Sequence, residues 1–401
     1  MIPIKHLLLL FLIGFTLNAD CQQWPSKLSK DAQIALLTVS PGSELYSLFG
    51  HSALRVVDPK QNFDMVFNYG AFHFEPTFEF YWRFIRGRLN YQLSVYPYEM
   101  FLKEYRYYNR SVVQQFLELT DTQKGNIYNF LLRNNLPENR AYRYDFFFDN
   151  CSTRIRDIFE QELKSNIDFY PNDRKFGKTY RVLVNEYTSA KPWVDLGINS
   201  ILGYSADKKV TGRYYMFLPD YLMSAFDSAF VTVGGKYSSF VKQKEVVLER
   251  QTDDSSVNHS WYTQPTILSW LIFLPFFIIS IVNFLRGSRT KWIDVLLYPI
   301  AGFLGLFFLF CWFGTDHIVL SWNLNLLWAF PSHIIMVLLL VIIVGKPWVR
   351  WYFLVSSLFA MLTLVNWYWL PQPLHSALVP LIALLAFRGV VICRGSNVLN
   401  A

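Results

Sequence analysis

The sequence predicts a mixed α+β domain exported from the cytoplasm, followed by an all-α membrane domain of five helices. Three observations carry that prediction. Charge is unevenly spread, with 30 Lys/Arg and 28 Asp/Glu in residues 1–263 against only seven and two in residues 264–401. Five apolar stretches, at about 266–285, 293–313, 326–345, 351–370 and 374–393, approach the ~20 residues a helix needs to cross the hydrocarbon core. The chain opens on Lys5 and His6 followed by an apolar run from Leu7 to Leu17, the pattern of a secretory signal. With 401 residues, 52% of them hydrophobic and 17% charged, and a mean hydropathy of +0.20, the chain is not disordered. Most of its +7 charge lies in the apolar half, so no basic stripe is left for nucleic acid and that class of partner is excluded.

The expected domains follow: a signal peptide at 1–20, an exported domain at 22–262 and the membrane domain at 266–393. Within the exported domain, apolar alternation at 33–39, 52–57, 63–69, 89–95, 112–119 and 142–148 predicts strands. Helical periodicity predicts helices at 99–108, 121–135 and 151–164, with Asp121 as the cap of the second. Residues 249–264 are polar and turn-rich, as a link to the membrane would be. The loops between the five apolar stretches then alternate. Arg286, Arg289, Lys291, Lys346, Arg350, Arg388 and Arg394 all fall on one side, and the loops 314–325 and 371–375 carry no Lys or Arg. By the positive-inside rule that side is cytoplasmic, which leaves the first domain outside.

One cysteine stands out chemically. The exported part holds only Cys21, at the signal junction, and Cys151. Cys151 is therefore expected to be unpaired in an oxidising compartment. It follows Phe146-Phe147-Phe148-Asp149-Asn150 and opens a helix whose apolar face is Ile155, Ile158, Phe159 and Leu163. A thiol on a first helical turn sits beside unbonded amides and the positive end of the dipole, which favours thiolate and provides oxyanion donors. A small buried residue at a strand–helix junction would have the same local sequence.

A nucleophilic thiol needs a base. Of the histidines beyond the signal in the exported domain, His259 is in the link and His73 follows a Gly-Ala turn among aromatics. His51 opens a strand beside Gly50, in Leu48-Phe49-Gly50-His51-Ser52-Ala53-Leu54-Arg55, and is the candidate base. Asn68, in Phe67-Asn68-Tyr69-Gly70, is the candidate to orient its ring, with Glu44 and Tyr46 as the other choices. The sequence has no nucleotide fingerprint, no G-x-S-x-G elbow and no zinc spacing, so neither metal nor cofactor is expected.

A histidine at a strand start preceding a cysteine at a helix start reverses the papain order. This arrangement resembles the circularly permuted papain-like group that includes lecithin:retinol acyltransferase. The match is closer to the Lnb-type bacterial lipoprotein N-acyltransferases. It runs through Phe49–Arg55, Phe67–Gly70, Phe148-Asp149-Asn150-Cys151-Ser152-Thr153-Arg154, Met216–Leu222 and Asn323–Trp328, nearly the whole chain. The resemblance implies a permuted papain-like catalytic domain in the periplasm, anchored in the inner membrane. It implies acyl transfer from a phospholipid, through a Cys151 thioester, to the N-terminal amine of a diacylated lipoprotein, with His51 as base and acid. Ser52, Tyr69, Asn150 and Arg154, within the same motifs, are expected to support the site or bind substrate. Asp316 and His317, in the outer loop 314–325, are expected to meet the lipid head group or the acceptor amine. A membrane-anchored cysteine hydrolase of the envelope, an amidase, peptidase or lipid thioesterase, would use the same dyad. A non-catalytic scaffold would need neither His51 nor a free Cys151.

Overall fold

The computed structural model describes residues 24–72, 75–169, 177–251, 261–342 and 346–394. The expected signal peptide, Cys21, His73 and His259 lie outside the described residues. Ten strands occur among them: β1 (Gln33–Val39), β2 (His51–Asp58), β3 (Phe63–Ala71), β4 (Asn90–Pro97), β5 (Val112–Leu117), β6 (Ala141–Arg143), β7 (Ile167–Asp168), β8 (Phe230–Val233), β9 (Lys236–Ser239) and β10 (Val241–Leu248). Seven form one antiparallel sheet in the order β10-β5-β1-β2-β3-β4-β6, and β7, β8 and β9 form a small second sheet.

Alternation along the strands puts two apolar sets on opposite faces of the large sheet. Ile34, Leu36, Leu54, Val56, Phe67 and Tyr69 meet the helices Asp121–Asn134, Cys151–Leu163 and Pro219–Ser228. Leu37, Val39, Ala53 and Val66 meet Phe101 and Tyr105 of the helix Tyr98–Tyr107. The Cys151 helix buries Ile155, Ile158, Phe159 and Leu163, a face that contributes about 1.5–3 kcal/mol per fully buried side chain.

Two local expectations are corrected. The cap of the helix Asp121–Asn134 is Thr120, which accepts from the Gln123 amide while the Gln123 side chain accepts from the Thr120 amide. Asp121 is the first helical residue, where its carboxylate still suits the dipole. The apolar run 142–148 is a strand only as far as Arg143. Beyond it the Asp145 carboxylate accepts from the amides of Phe147 and Phe148, at 2.8 and 3.0 Å, and bends the chain into a turn closed by the Asp145–Asp149 bridge.

In the second half, four helices among the described residues are long and apolar enough to cross a membrane: Pro265–Arg286, Lys291–Gly314, Pro347–Val365 and Ser376–Arg394. The remaining apolar stretch, expected as a fifth span, is helical only over His333–Ile342 among the described residues. Its first part, Leu324–Leu327, is a tight 3-10 turn, and Pro331 has no amide to continue a helix from there. This unwound segment presses on the second span at Gly305, where a Cβ would lie 2.0 Å from the Ala329 carbonyl.

Arg388, expected to be a cytoplasmic charge, is fully buried. Its guanidinium binds Asp294 at 2.7 and 2.8 Å, Asn283 at 3.1 Å and the Thr290 carbonyl at 3.2 Å, and Asp294 also accepts from Arg289 at 2.8 Å. This cluster ties the first, second and last spans together. Removing one partner of a buried ion pair strands the other charge, so Asp294→Ala is expected to destabilise the solubilised protein by ~3–5 kcal/mol. The check is its thermal midpoint in detergent.

Candidate active site

The two halves of the site are brought together by the packing of the Cys151 helix across β2 and β3. Gly50, at φ +82, makes the turn into β2, where a Cβ would meet the Val39 carbonyl at 2.8 Å. His51 then pairs with Val39 across the ladder at the very start of the strand. Ser52, the next residue, points the other way and its hydroxyl lies 3.0 Å from that of Ser152 on the helix. Both serines are fully buried.

The helix start is fixed by Asn150. Its Oδ1 accepts from the amides of Ser152 and Thr153 at 2.9 Å each, and its Nδ2 donates to the carbonyls of Phe146 and Phe217 at 2.8 Å each. This modifies the expectation for the first-turn amides. Two of them are engaged by the cap, and the amide of Cys151 itself is the one left without a partner among the described residues.

Cys151 is a free thiol, 8% exposed. Its sulfur lies 3.9 Å from the Ser152 hydroxyl, and the His51 imidazole is the charged group that most favours its thiolate. His51 Nε2 donates to Asn68 Oδ1 at 2.5 Å, so its other ring nitrogen is the one left for the thiol. Asn68 Nδ2 donates to the Tyr96 hydroxyl at 2.8 Å, and that hydroxyl to Glu104 at 3.4 Å. Burial pushes the thiol up and the imidazole down, but each is overcome by the partner: the thiol sits below its ordinary value and the imidazole above its own. Each group thus favours the charged form of the other. Gly70, at φ +93, covers both groups, since a Cβ there would lie 3.8 Å from the Cys151 Cβ and 3.8 Å from the imidazole Cε1.

The supporting residues divide by position. Arg154 makes a paired contact with Asp149 and stacks on Tyr142 with its guanidinium 4.1 Å from the ring centre. Tyr69 donates to Asn134 at 2.6 Å. Tyr69, Asp149 and Arg154 line a cavity of about 300 Å³ beside the Cys151 helix, together with Phe130 and Gln161. Glu44 and Tyr46 are exposed on the loop before β2 and make no bond to His51; Asn68 takes that place.

Asp316 and His317 are engaged between the halves of the chain. Asp316 pairs with Arg88 at 2.6 Å and with Arg143, and its amide donates to the Arg86 carbonyl at 3.1 Å. His317 packs against Gly87, where any Cβ would fall 2.7 Å from the ring. The same outer loop continues along the first domain. Gly203 donates to the Val319 carbonyl, and Asn323 and Asn325 both donate to the Ser200 carbonyl; from the loop 371–375, Gln372 donates to the Leu202 carbonyl.

Residues 22–186 match the family profile of the Lnb N-terminal periplasmic domain, and residues 257–396 match that of the Lnb transmembrane domain. The chain belongs to the Lnb family. It is an inner-membrane protein with a periplasmic domain. No curated protein and no solved structure matches it.

Sequence reasoning missed several residues of this Lnb-family site. Tyr96 and Glu104 extend the line from His51, yet Tyr96 reaches Asn68 only because β4 pairs with β3 in a register that sets Val66 opposite Tyr96. Ser152 was hidden as a helix residue adjacent to the cysteine. Arg88 and Arg143 carry no sequence signal, because their common partner Asp316 is at least 173 positions away, and neither does Arg86, whose guanidinium bonds the Gly314 carbonyl.

Two measurements test the electrostatics. Alkylation of Cys151 by iodoacetamide, followed on the Cys151 peptide, is expected to reach half its maximal rate below the ordinary thiol range. In His51→Ala burial acts unopposed by the imidazolium, and the midpoint is expected to move above that range; equal midpoints would refute the pairing. Asn150→Ala is expected to cost ~1 kcal/mol or more, the loss of a helix cap compounded by two buried carbonyls left unpaired. Its readout is the thermal midpoint.

Proposed function

We propose that this protein is a lipoprotein N-acyltransferase that moves an acyl chain from a phospholipid, through a thioester on Cys151, to the N-terminal amine of a diacylated lipoprotein. The observation that carries this reading is the grouping of Cys151 with His51, whose ring donates to Asn68, in a domain docked on apolar spans. Membership of the Lnb family supports the same class of reaction. We read the order of His51 strand before Cys151 helix as a circularly permuted papain-like arrangement.

The steps follow from the protonation state. The Cys151 thiolate attacks the ester carbonyl of the phospholipid, forming the C–S bond and a tetrahedral oxyanion, for which the unengaged Cys151 amide is an available donor. Collapse breaks the ester C–O bond, and the proton held by His51 goes to the departing lysophospholipid oxygen. The acceptor amine then attacks the thioester carbonyl and gives its proton to His51. Collapse of the second intermediate releases the amide and restores the thiolate–imidazolium pair. Asn68 holds the ring through Nε2 in both half-reactions, with Tyr96 holding Asn68. The reaction is a two-step exchange in which lysophospholipid leaves before the acceptor reacts.

The test is mass spectrometry of lipoprotein N-termini from cells carrying wild type or Cys151→Ala. Loss of the N-linked acyl chain in the variant is expected, and unchanged triacylation would defeat the proposal. With purified protein and phospholipid, an acyl group should be trapped on Cys151. Its release as free fatty acid in the presence of acceptor would favour the hydrolase reading. His51→Ala is expected to slow transfer by ~10²–10⁴, the usual contribution of a general base.

A further inference from the structure

The segment that follows Gly70 forms a short helix, Phe78–Ile85, whose composition does not suit a water-facing surface. Phe78, Tyr81, Trp82 and Ile85 share one face and are exposed, Phe78 to 82%. On a second side Phe84 is 55% exposed, and the polar strip between is only Glu79 and Arg83, paired with each other. Soluble surfaces carry single exposed aromatics, but a contiguous set marks a contact with another apolar phase.

The position of that set identifies the phase. Trp82 stacks between Phe78, at 6.2 Å, and Phe310 of the second span, at 5.5 Å. Phe310 opens the last turn of that span, before Gly314. The apolar face of the helix is thus continuous with the end of a membrane span, at the depth where amphipathic helices lie in the plane of the bilayer. It is also close to the chemistry. Phe72, two residues from Gly70, stacks on Phe80 of this helix at 6.2 Å.

At the end of the helix, Trp82, Arg83, Arg86 and Arg88 line a recess of about 300 Å³. Arg83 is paired with Glu79 and Arg88 with Asp316. Arg86 is different. Its Nε donates to the Gly314 carbonyl at 3.0 Å, its plane approaches the Trp82 ring at 5.6 Å, and it has no carboxylate partner among the described residues. An unneutralised guanidinium, held at the membrane surface by a backbone carbonyl, presents its terminal nitrogens to an anion.

We propose that the helix Phe78–Ile85 lies in the outer leaflet and that Arg86 binds the phosphate of the donor phospholipid. This rests on the reading of Cys151 as acting on phospholipid and adds how the donor is told from the acceptor. A phospholipid carries a phosphodiester beside its ester groups, and a diacylglyceryl cysteine carries none. A guanidinium at the end of a membrane span therefore favours the lipid required for the first half-reaction and offers nothing to the second.

The membrane seat is tested without reference to catalysis. The full chain in phospholipid nanodiscs is given a photo-crosslinking residue by Phe78→benzoylphenylalanine or, separately, Trp82→benzoylphenylalanine. The comparison position is Lys60, at the far end of β2 and roughly 25 Å from His51 by strand rise. Phospholipid adducts at 78 or 82 and none at 60 are expected; no adduct at either, or equal adducts at all three, would overturn the seat. The phosphate site is tested by donor kinetics. Arg86→Gln is expected to raise the apparent KM for phospholipid about tenfold, the scale of one lost charge-assisted hydrogen bond, with recovery in Arg86→Lys. Acylation of Cys151 by a soluble short-chain nitrophenyl ester, which has no phosphate, is the comparison arm. An equal loss with both donors, or none with phospholipid, would overturn Arg86 as the phosphate ligand. Failure of the wild type to form any acyl-Cys151 would instead count against the proposed function, leaving the crosslinking result to stand by itself.

Discussion

The side-chain amide of Asn150 sets where the Cys151 helix begins, and the position of the thiol depends on that. Its oxygen closes the first turn through two amides, while its nitrogen ties the turn to Phe146 and to Phe217 of a separate segment. A buried amide with all these bonds made resists rotation or sliding, because any shift leaves several polar groups unpaired at once. The sulfur is thereby held over the start of β2, beside the Ser152 hydroxyl and in the field of the His51 ring. The direction of both pKa shifts follows from that placement. Burial by itself raises the thiol and lowers the imidazole, and the pairing of the two reverses both directions.

The second rigid feature is the seam between the periplasmic domain and the spans. It is not a tether. Asp316 joins two arginines, His317 fills the space beside Gly87, and Gly203 lies so close to Ser321 that a Cβ would fall 1.9 Å from its carbonyl oxygen. Apolar packing continues through it, with Leu202 and Phe217 on one side and Cys311, Val319 and Leu320 on the other. Phe217 belongs both to this cluster and to the cap of the Cys151 helix, so the site and the membrane anchor share structural supports. Under the proposed function, in which both substrates stay in a bilayer, such coupling would fix the height of Cys151 over the lipid.

Much of this was legible in the residue order. The strands at 33–39 and 112–117 and the helix at Cys151 follow from local alternation, periodicity and capping chemistry. Asn68 was legible as a partner of His51 because it lies on the next antiparallel strand. Three things were not. The Asp145 turn looked like more strand, since its aromatic alternation is the same whether or not one carboxylate captures two amides. The stretch at 326–345 had the composition of a span, but hydropathy does not register where Pro331 unwinds it. Arg388 reads as a topology charge in the sequence, and only the fold sets it against Asp294, 94 residues away in the chain.

The sequence by itself determined a periplasmic α+β domain joined to membrane helices, and it singled out Cys151, His51 and Asn68, because periodicity, hydropathy and residue chemistry are local properties. The tertiary structure alone decided what those residues touch. The Tyr96–Glu104 extension, the engagement of the first-turn amides by Asn150, the Asp316 seam and the unneutralised Arg86 all join positions far apart in the chain. Such contacts are set by strand register and domain docking, which no local pattern encodes.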